Sequence, residues 1–233
     1  MYVDHALIRP RSVMERGYQS ALAQSCLKAS TLLVLPTGLG KTVIALRVAA
    51  EVLRSRGGKV LFLAPTRPLV VQTADYLSEH LVDRSVGIMT GTSTPSERRG
   101  SWERNDVLVA TPQSVANDLG RGSFDLDGVS LIVYDEAHRA VGNYAYVRVA
   151  RCNRSALSLG MTASPGATRK RIGAVCANLG LRELEWREDD DDDVAPHVHD
   201  VDVSIIEVAP PEHMHEVQEL LRRLQGPSLD VLV

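Results

Sequence analysis

Apolar and β-branched residues gather in six short runs, Thr31–Leu35, Lys59–Ala64, Ser85–Met89, Val107–Ala110, Leu131–Tyr134 and Ala156–Met161, each bounded by Gly, Pro, Asp or Asn. Runs this short, with such boundaries, predict β-strands buried on both sides. Between most of them the apolar spacing changes to the helical period, as in Val43–Arg54 and Leu69–His80. Strands alternating with helices predict an α/β fold, a mostly parallel sheet with helices on both faces. In such a sheet ligands gather at the carboxyl ends of the strands.

The pattern changes after Leu179 and Gly180. A short strand candidate at Arg182–Arg187 is followed by the acidic run Asp189–Asp193 and a strand-like Val201–Val208. Pro210 and Pro211 then precede Glu212–Leu224, where Met214, Val217, Leu220, Leu221 and Leu224 recur at helical spacing. The Asp run is expected to be a solvated loop, because consecutive acids cannot converge on a metal without a turn-forming framework. His197, His199, His213 and His215 are expected at the surface.

With 44% hydrophobic and 24% charged residues in 233, the chain is globular and has ample core. No apolar run approaches the ~20 residues that cross a bilayer. The opening MYVDHALIRP carries charges where a secretory signal would be apolar. Cys26, Cys152 and Cys176 lie far apart without a CxxC pair, so they read as small buried residues and not as a disulfide or zinc framework. No membrane partner and a cytoplasmic location are expected. The net charge of −3 argues against a nucleic-acid partner only until its distribution is considered. Residues 1–180 hold 22 Lys and Arg against 14 Asp and Glu, a balance of +8, whereas residues 181–233 hold 4 against 15, a balance of −11.

Two segments carry chemistry, and each follows directly on a predicted strand. The first, Pro36-Thr37-Gly38-Leu39-Gly40-Lys41-Thr42, reads strand, Gly-containing loop, helix. Backbone N–H groups of such a loop, with the helix N-terminus behind them, attract phosphates. Gly38 and Gly40 allow close approach, Lys41 can neutralise β- and γ-phosphates, and Thr42 can ligate Mg²⁺. The full P-loop pattern places another Gly where Leu35 stands. The second segment is the strand Leu131–Tyr134 ending in Asp135-Glu136-Ala137-His138. Asp135 is placed to hold Mg²⁺, Glu136 to orient and deprotonate an attacking water, and His138 to couple the pair to its surroundings.

With these two segments in place, the chain resembles superfamily 2 DEAH-box helicases. Tyr18-Gln19 resembles the Q motif, Pro36–Thr42 motif I, Ala64–Gln72 (APTRPLVVQ) motif Ia, Thr90–Arg99 motif Ib, Ala110–Ser114 motif Ic, Asp135–Tyr146 (DEAHRAVGNYAY) motif II and Met161–Gly166 (MTASPG) motif III. The PTRPLV and HRAVGNYAY forms are most similar to archaeal helicase-associated endonucleases for fork-structured DNA (Hef) and to Fanconi anaemia M-type translocases. The resemblance implies a RecA-like P-loop NTPase domain, the first of two, over residues 1–187. It implies an acidic loop at 188–200, and at 201–233 an exit strand and the start of a truncated helical insertion. ATP and Mg²⁺ are the implied cofactors.

The same resemblance implies that Gln19 reads the adenine edge with its amide, and that Thr66, Arg67, Gly91, Thr92, Thr111 and Gln113 contact the sugar-phosphate backbone. Hydroxyls and exposed amides just beyond strand ends suit contacts that position a strand without reading bases; taken singly, Thr residues there also serve as helix caps. Arg98 and Arg99 add charge to that track or are simply solvated. Thr162 and Ser164 are implied to couple hydrolysis to movement through hydrogen bonds to the acids of motif II.

Motifs IV to VI, with their arginine fingers, belong in this superfamily to a second RecA-like domain. The expectation is therefore the ATP-binding half of an ATP-dependent helicase or translocase acting on forked or branched DNA. Alone it should be a weak ATPase, its second domain supplied in trans or from an adjacent reading frame. A duplex-RNA motor and a non-catalytic remnant that binds DNA or a partner protein are the alternatives.

Overall fold

The computed structural model describes residues 1–164, 166, 168–198, 206, 208 and 211–229. They divide into two units, Met1–Val198 and His199–Val233. In the first, helix α1 (Gly17–Lys28) precedes strand β1 (Thr31–Val34), and α2 (Lys41–Ser55), β2 (Lys59–Leu63), α3 (Arg67–His80) and β3 (Val86–Met89) follow. The chain continues through α4 (Pro95–Arg104), β4 (Val107–Ala110), α5 (Pro112–Gly120), β5 (Val129–Asp135), α6 (Ala145–Cys152), β6 (Leu157–Thr162), α7 (Arg169–Leu179) and β7 (Glu183–Trp186). Of the second unit, helix α8 (Glu212–Leu229) is described, with Met214, Val217, Leu220 and Leu221 exposed along one face. The strand expected at Val201–Val208 lies outside the described residues but for Ile206 and Val208.

The seven strands form one sheet in the order β3-β4-β2-β5-β6-β1-β7, and every pairing among them is parallel. The six predicted runs are all strands, and the seventh, expected at Arg182–Arg187, takes the edge beside β1. Successive residues of a strand point to opposite faces. Thus Leu33, Phe62, Val109, Val133 and Leu159 meet one core with α1, α2 and α3, and Leu32, Leu61, Leu108 and Ile132 meet another with α5, α6 and α7. Burial on both faces is why β1, β2, β4, β5 and β6 read as continuous apolar stretches and not as alternation, whereas β3, at one edge, buries Met89 and exposes Ile88. The edge strand β7 differs: Glu183 and Leu184 are exposed, and the acids Glu183 and Glu185 discourage pairing with another chain.

β1 and β2 are consecutive in sequence but separated in the sheet by β6 and β5. This crossing puts the loop after β1 and the loop after β5 at the same carboxyl edge with only β6 between them, the position where such sheets hold ligands.

The compact unit runs on past the boundary expected at 187. Val194 is fully buried in the core built by α1 and α2, and the His197 ring lies 5.4 Å from that of Tyr18. The acidic run itself is mostly exposed, closed by Glu188 N–H donating to Asp191 at 2.9 Å and by Arg187 pairing with Asp193 at 3.2 Å. The cysteines divide: Cys26 is buried and Cys176 half-buried, but Cys152, expected inside, is exposed at the end of α6.

Candidate functional site

The loop Pro36–Gly40 leaves β1 after Leu35, whose amide donates to the Thr162 carbonyl at 3.1 Å and whose side chain is fully buried. A core leucine thus stands where the full P-loop pattern has glycine. Gly38 and Gly40 have φ of 87° and 82°, values that glycine adopts without the clash a Cβ would bring. A Cβ on Gly40 would lie 2.5 Å from Gln19 Nε2. That contact comes from α1, which braces the loop from behind. The Tyr18 hydroxyl donates to the Leu39 carbonyl at 2.7 Å, and Gln19 Nε2 donates to the same carbonyl at 3.1 Å. Gln19, 2% exposed, is therefore a buried bracing residue and not one on an open helix surface. Lys41 opens α2 and folds its ammonium onto the Leu35 and Pro36 carbonyls at 2.8 and 3.1 Å. Burial holds its pKa below the ordinary lysine value, while the charges of Glu136 and Asp135 work to raise it.

Asp135 ends β5, and its carboxyl is pushed up to about 6, first by burial and then by the charge of Glu136. Two carboxylates side by side in a half-buried site are short of positive charge. Glu136 has φ 51° and ψ 49°, a left-handed conformation uncommon for residues other than glycine, asparagine and aspartate. It turns the chain into a short 3₁₀ turn, Ala137–Arg139, and Ala137 packs beneath it against Gly160 of β6, where a Cβ would lie 3.2 Å from the Ala137 Cβ. The buried Tyr146 of α6 supports the strand end from below, its hydroxyl bonding the carbonyls of Leu63 at 3.2 Å and of Asp135.

His138 Nδ1 lies 3.3 Å from Glu136 Oε2 and 3.0 Å from Thr162 Oγ1. Thr162 therefore reaches the histidine of motif II and not its acids, which corrects the expectation. Asp135 pairs with Met161, so Thr162 lies one residue further along, and His138 stands between its hydroxyl and the Glu136 carboxylate. Ser164 is exposed, and its backbone N–H donates to Thr162 Oγ1 at 3.1 Å.

Between the loop and the acids lies a cavity of about 480 Å³, walled by Thr37, Gly38, Lys41, Thr42, Asp135 and Glu136. Its far wall is α3, through Gln72, Thr73 and Tyr76. Sequence reasoning did not single out this wall. The helical period of Leu69–His80 was evident, but which face meets the loop after β1 depends on strand order. The lining suits a nucleoside triphosphate with Mg²⁺: backbone amides and an ammonium for phosphates, and Thr42 with Asp135 for the metal. Mg²⁺ commonly takes one or two protein oxygens and completes its shell with phosphate and water. Accordingly, no cluster of three metal-ligating side chains is found among the described residues.

The remaining expected contacts line the same edge beyond β2, β4 and β3, which are neighbours in the sheet. Thr66 and Arg67 are exposed at the start of α3, Gly91 and Thr92 on the loop after β3, and Gln113 at the start of α5. Thr66 and Thr111 stand at the N-cap positions of α3 and α5, yet neither makes a side-chain cap bond. Thr94, by contrast, forms a full capping box with Glu97. Capping thus accounts for Thr94 but not for Thr66 or Thr111. Arg98 leaves the track altogether. It is buried, bidentate to Asp118 at 2.6 and 2.7 Å, and bound to the Ser93 carbonyl. Arg99 is exposed and pairs with Glu103 at 3.0 Å.

Residues 12–167 match the family described as type III restriction enzyme, res subunit (ResIII). The chain belongs to this family. A Methanocaldococcus jannaschii protein provisionally named an ATP-dependent RNA helicase is 36% identical over the whole of this chain, which covers 30% of that protein. The Drosophila melanogaster DEAD-box ATP-dependent DNA helicase Fancm is 39% identical over the whole chain and 16% of its own length. The solved Hef helicase domain of Pyrococcus furiosus is 43% identical, superposes with a TM-score of 0.81 over 97% of this chain, and is itself covered to 50%. The chain thus spans a third or less of these two relatives and half of the solved one. It is a RecA-like α/β domain of the superfamily 2 helicase type.

Proposed function

We propose that this ResIII-family chain is the ATP-binding half of an ATP-dependent DNA helicase or translocase that acts on forked or branched DNA in the cytoplasm. The observation that carries the reading is the cavity where the Pro36–Thr42 loop faces Asp135 and Glu136 across the end of β6. Relatives named for DNA helicase activity support DNA as the track.

In this reading Lys41 exchanges the Leu35 and Pro36 carbonyls for the β- and γ-phosphates, and the N-terminus of α2 adds its positive end. Mg²⁺, when bound, neutralises charge on the phosphates, and Thr42 and Asp135 hold it. Glu136 orients water and takes its proton, and the left-handed turn aims the carboxylate. His138, between Glu136 and Thr162, passes the state of the nucleotide to the end of β6. Gln19 serves the nucleotide indirectly, by bracing the loop through the Leu39 carbonyl. Thr66, Arg67, Gly91, Thr92, Thr111 and Gln113 grip the DNA backbone.

Turnover by the isolated chain should be slow, because an arginine finger from a second RecA-like domain contributes roughly 10³–10⁵ in rate in related phosphoryl transfer. Calorimetry should show ATP–Mg²⁺ binding to the wild type and to Glu136→Gln, and none to Lys41→Ala. Hydrolysis should rise when a second RecA-like domain is supplied in trans, except with Glu136→Gln. Robust fork-stimulated ATPase by these 233 residues alone would refute the half-motor reading. The M. jannaschii relative is named for RNA, which favours RNA as the track in a second reading. Competition between fork DNA and duplex RNA at fixed salt separates the two, since salt tunes both affinities.

A further inference from the structure

The opposite edge of the sheet, where the strands begin, holds a cleft of about 570 Å³ that no motif accounts for. It is larger than the cavity at the carboxyl edge, and its charge is one-sided. Lys28, Arg56, Arg151, Arg154 and Arg182 line it, and no Asp or Glu does. Each is exposed.

Helix ends explain part of this charge. α1, α2, α6 and α7 all finish here, and the Arg56 guanidinium donates to the Leu27 carbonyl at 3.3 Å. Each helix end carries about half a negative charge. Asp127 approaches Arg154 to 3.7 Å and is the sole carboxylate paired with any of the five among the described residues. Four helix ends and one carboxylate leave roughly two of the five positive charges unmatched.

The polar groups of the cleft indicate what kind of anion could answer them. Asn153 Nδ2 is committed to the Ala156 carbonyl at 2.9 Å and to Ser158 Oγ at 3.2 Å, and Asn178 Nδ2 to the Ala140 carbonyl at 2.9 Å. With these two side-chain amides occupied, the cleft offers chiefly long, exposed cations spread along its walls. That combination suits a phosphate backbone held by charge alone. The chain's own Asp189–Asp193 run is not the occupant. It follows β7 at the carboxyl edge, where Glu188 and Arg187 tie it down.

We propose that this amino-edge cleft is a second nucleic-acid contact, holding the phosphate backbone of one arm of a branched DNA while the carboxyl-edge loops hold another. The inference rests on the DNA-motor reading above and adds to it a surface outside the helicase motifs.

The chain has four lysines, Lys28, Lys41, Lys59 and Lys170, and Lys28 alone lines the cleft, so amine-reactive footprinting reads it directly. Saturating fork DNA should lower Lys28 labelling several-fold in the wild-type chain. The triple variant Arg151→Gln/Arg154→Gln/Arg182→Gln should bind fork DNA roughly tenfold more weakly, with a log K against log salt slope smaller by about two to three, near 0.9 for each phosphate contact removed. Unchanged Lys28 labelling and an unchanged slope, with binding instead lost in Arg67→Ala/Gln113→Ala, would overturn the second contact and leave the motor reading standing. Failure of the wild type to bind any DNA would sink both. Protection of Lys28 by polyglutamate but not by fork DNA would make the cleft a protein-docking surface and overturn the proposal. The footprint uses the wild type, so a misfolded triple variant does not weaken it.

Discussion

Glu136 is held in a conformation that a glutamate adopts only under constraint, and the constraint is visible around it. Ala137 is wedged against Gly160, and Tyr146 holds the Asp135 carbonyl from below. Tyr146 is fully buried, edge-on to Tyr134 and Tyr144 at 5.5 and 5.2 Å, and its burial and the nearby Asp135 charge keep its hydroxyl protonated. Tyr146→Phe removes the single O–H shared between the Leu63 and Asp135 carbonyls while keeping the packing. The expected loss is ~0.5–1.5 kcal/mol, the net contribution of one hydrogen bond, read as a lower midpoint in urea with an unchanged slope. At this scale Asp135, Glu136, Lys41 and the glycines were legible, because phosphate and metal chemistry demands those residue types at those spacings. Tyr146 stood in the same motif without a role, since a hydroxyl's partner is a matter of which backbone lies above it.

Between elements, the buried pair Arg98–Asp118 joins α4 to α5 and fixes the loop bearing Gly91 and Thr92 through the Ser93 carbonyl. Breaking such a pair from one side leaves an uncompensated buried charge, so Asp118→Ala should cost ~3–5 kcal/mol. Arg98→Met/Asp118→Leu should recover much of that loss, because both charges then leave together. A second junction ties the start of β3 to the start of β4. Burial works to raise the Asp106 pKa, but hydrogen bonds from the Ser85 backbone and hydroxyl, with the charges of Arg84 and Lys59, hold it below the ordinary 3.8. A depressed folded pKa means that the unfolded chain takes the proton first on acidification. The stability it contributes is present above 3.8 and is lost as pH falls through the lower folded value. Thermal melts down that range should show Asp106→Asn losing less stability than the wild type. Strands and helices were legible from apolar spacing, but Arg98 was misread because a pair of neighbouring arginines does not say which one points inward.

For the whole molecule, binding at one edge should stabilise everything packed behind it. A ligand at 100 times its dissociation constant contributes ~2.7 kcal/mol. ATP–Mg²⁺ should therefore raise the melting temperature of the wild type by several degrees and leave that of Lys41→Ala unmoved, as differential scanning fluorimetry would read. The net charge of −3 conceals a basic body of +8 and an acidic remainder of −11, and that split was countable from the chain alone. Apolar periodicity and phosphate chemistry act over a few residues, and so the element types, the parallel sheet, the two strand-end motifs and the family they resemble were readable along the chain. The packed molecule alone sets the strand order, and with it the α3 wall of the cavity and the link from Thr162 to His138. It also decided the gathering of five cations at the far edge. Each of these depends on which strand lies beside which, a choice made by packing among residues distant in sequence.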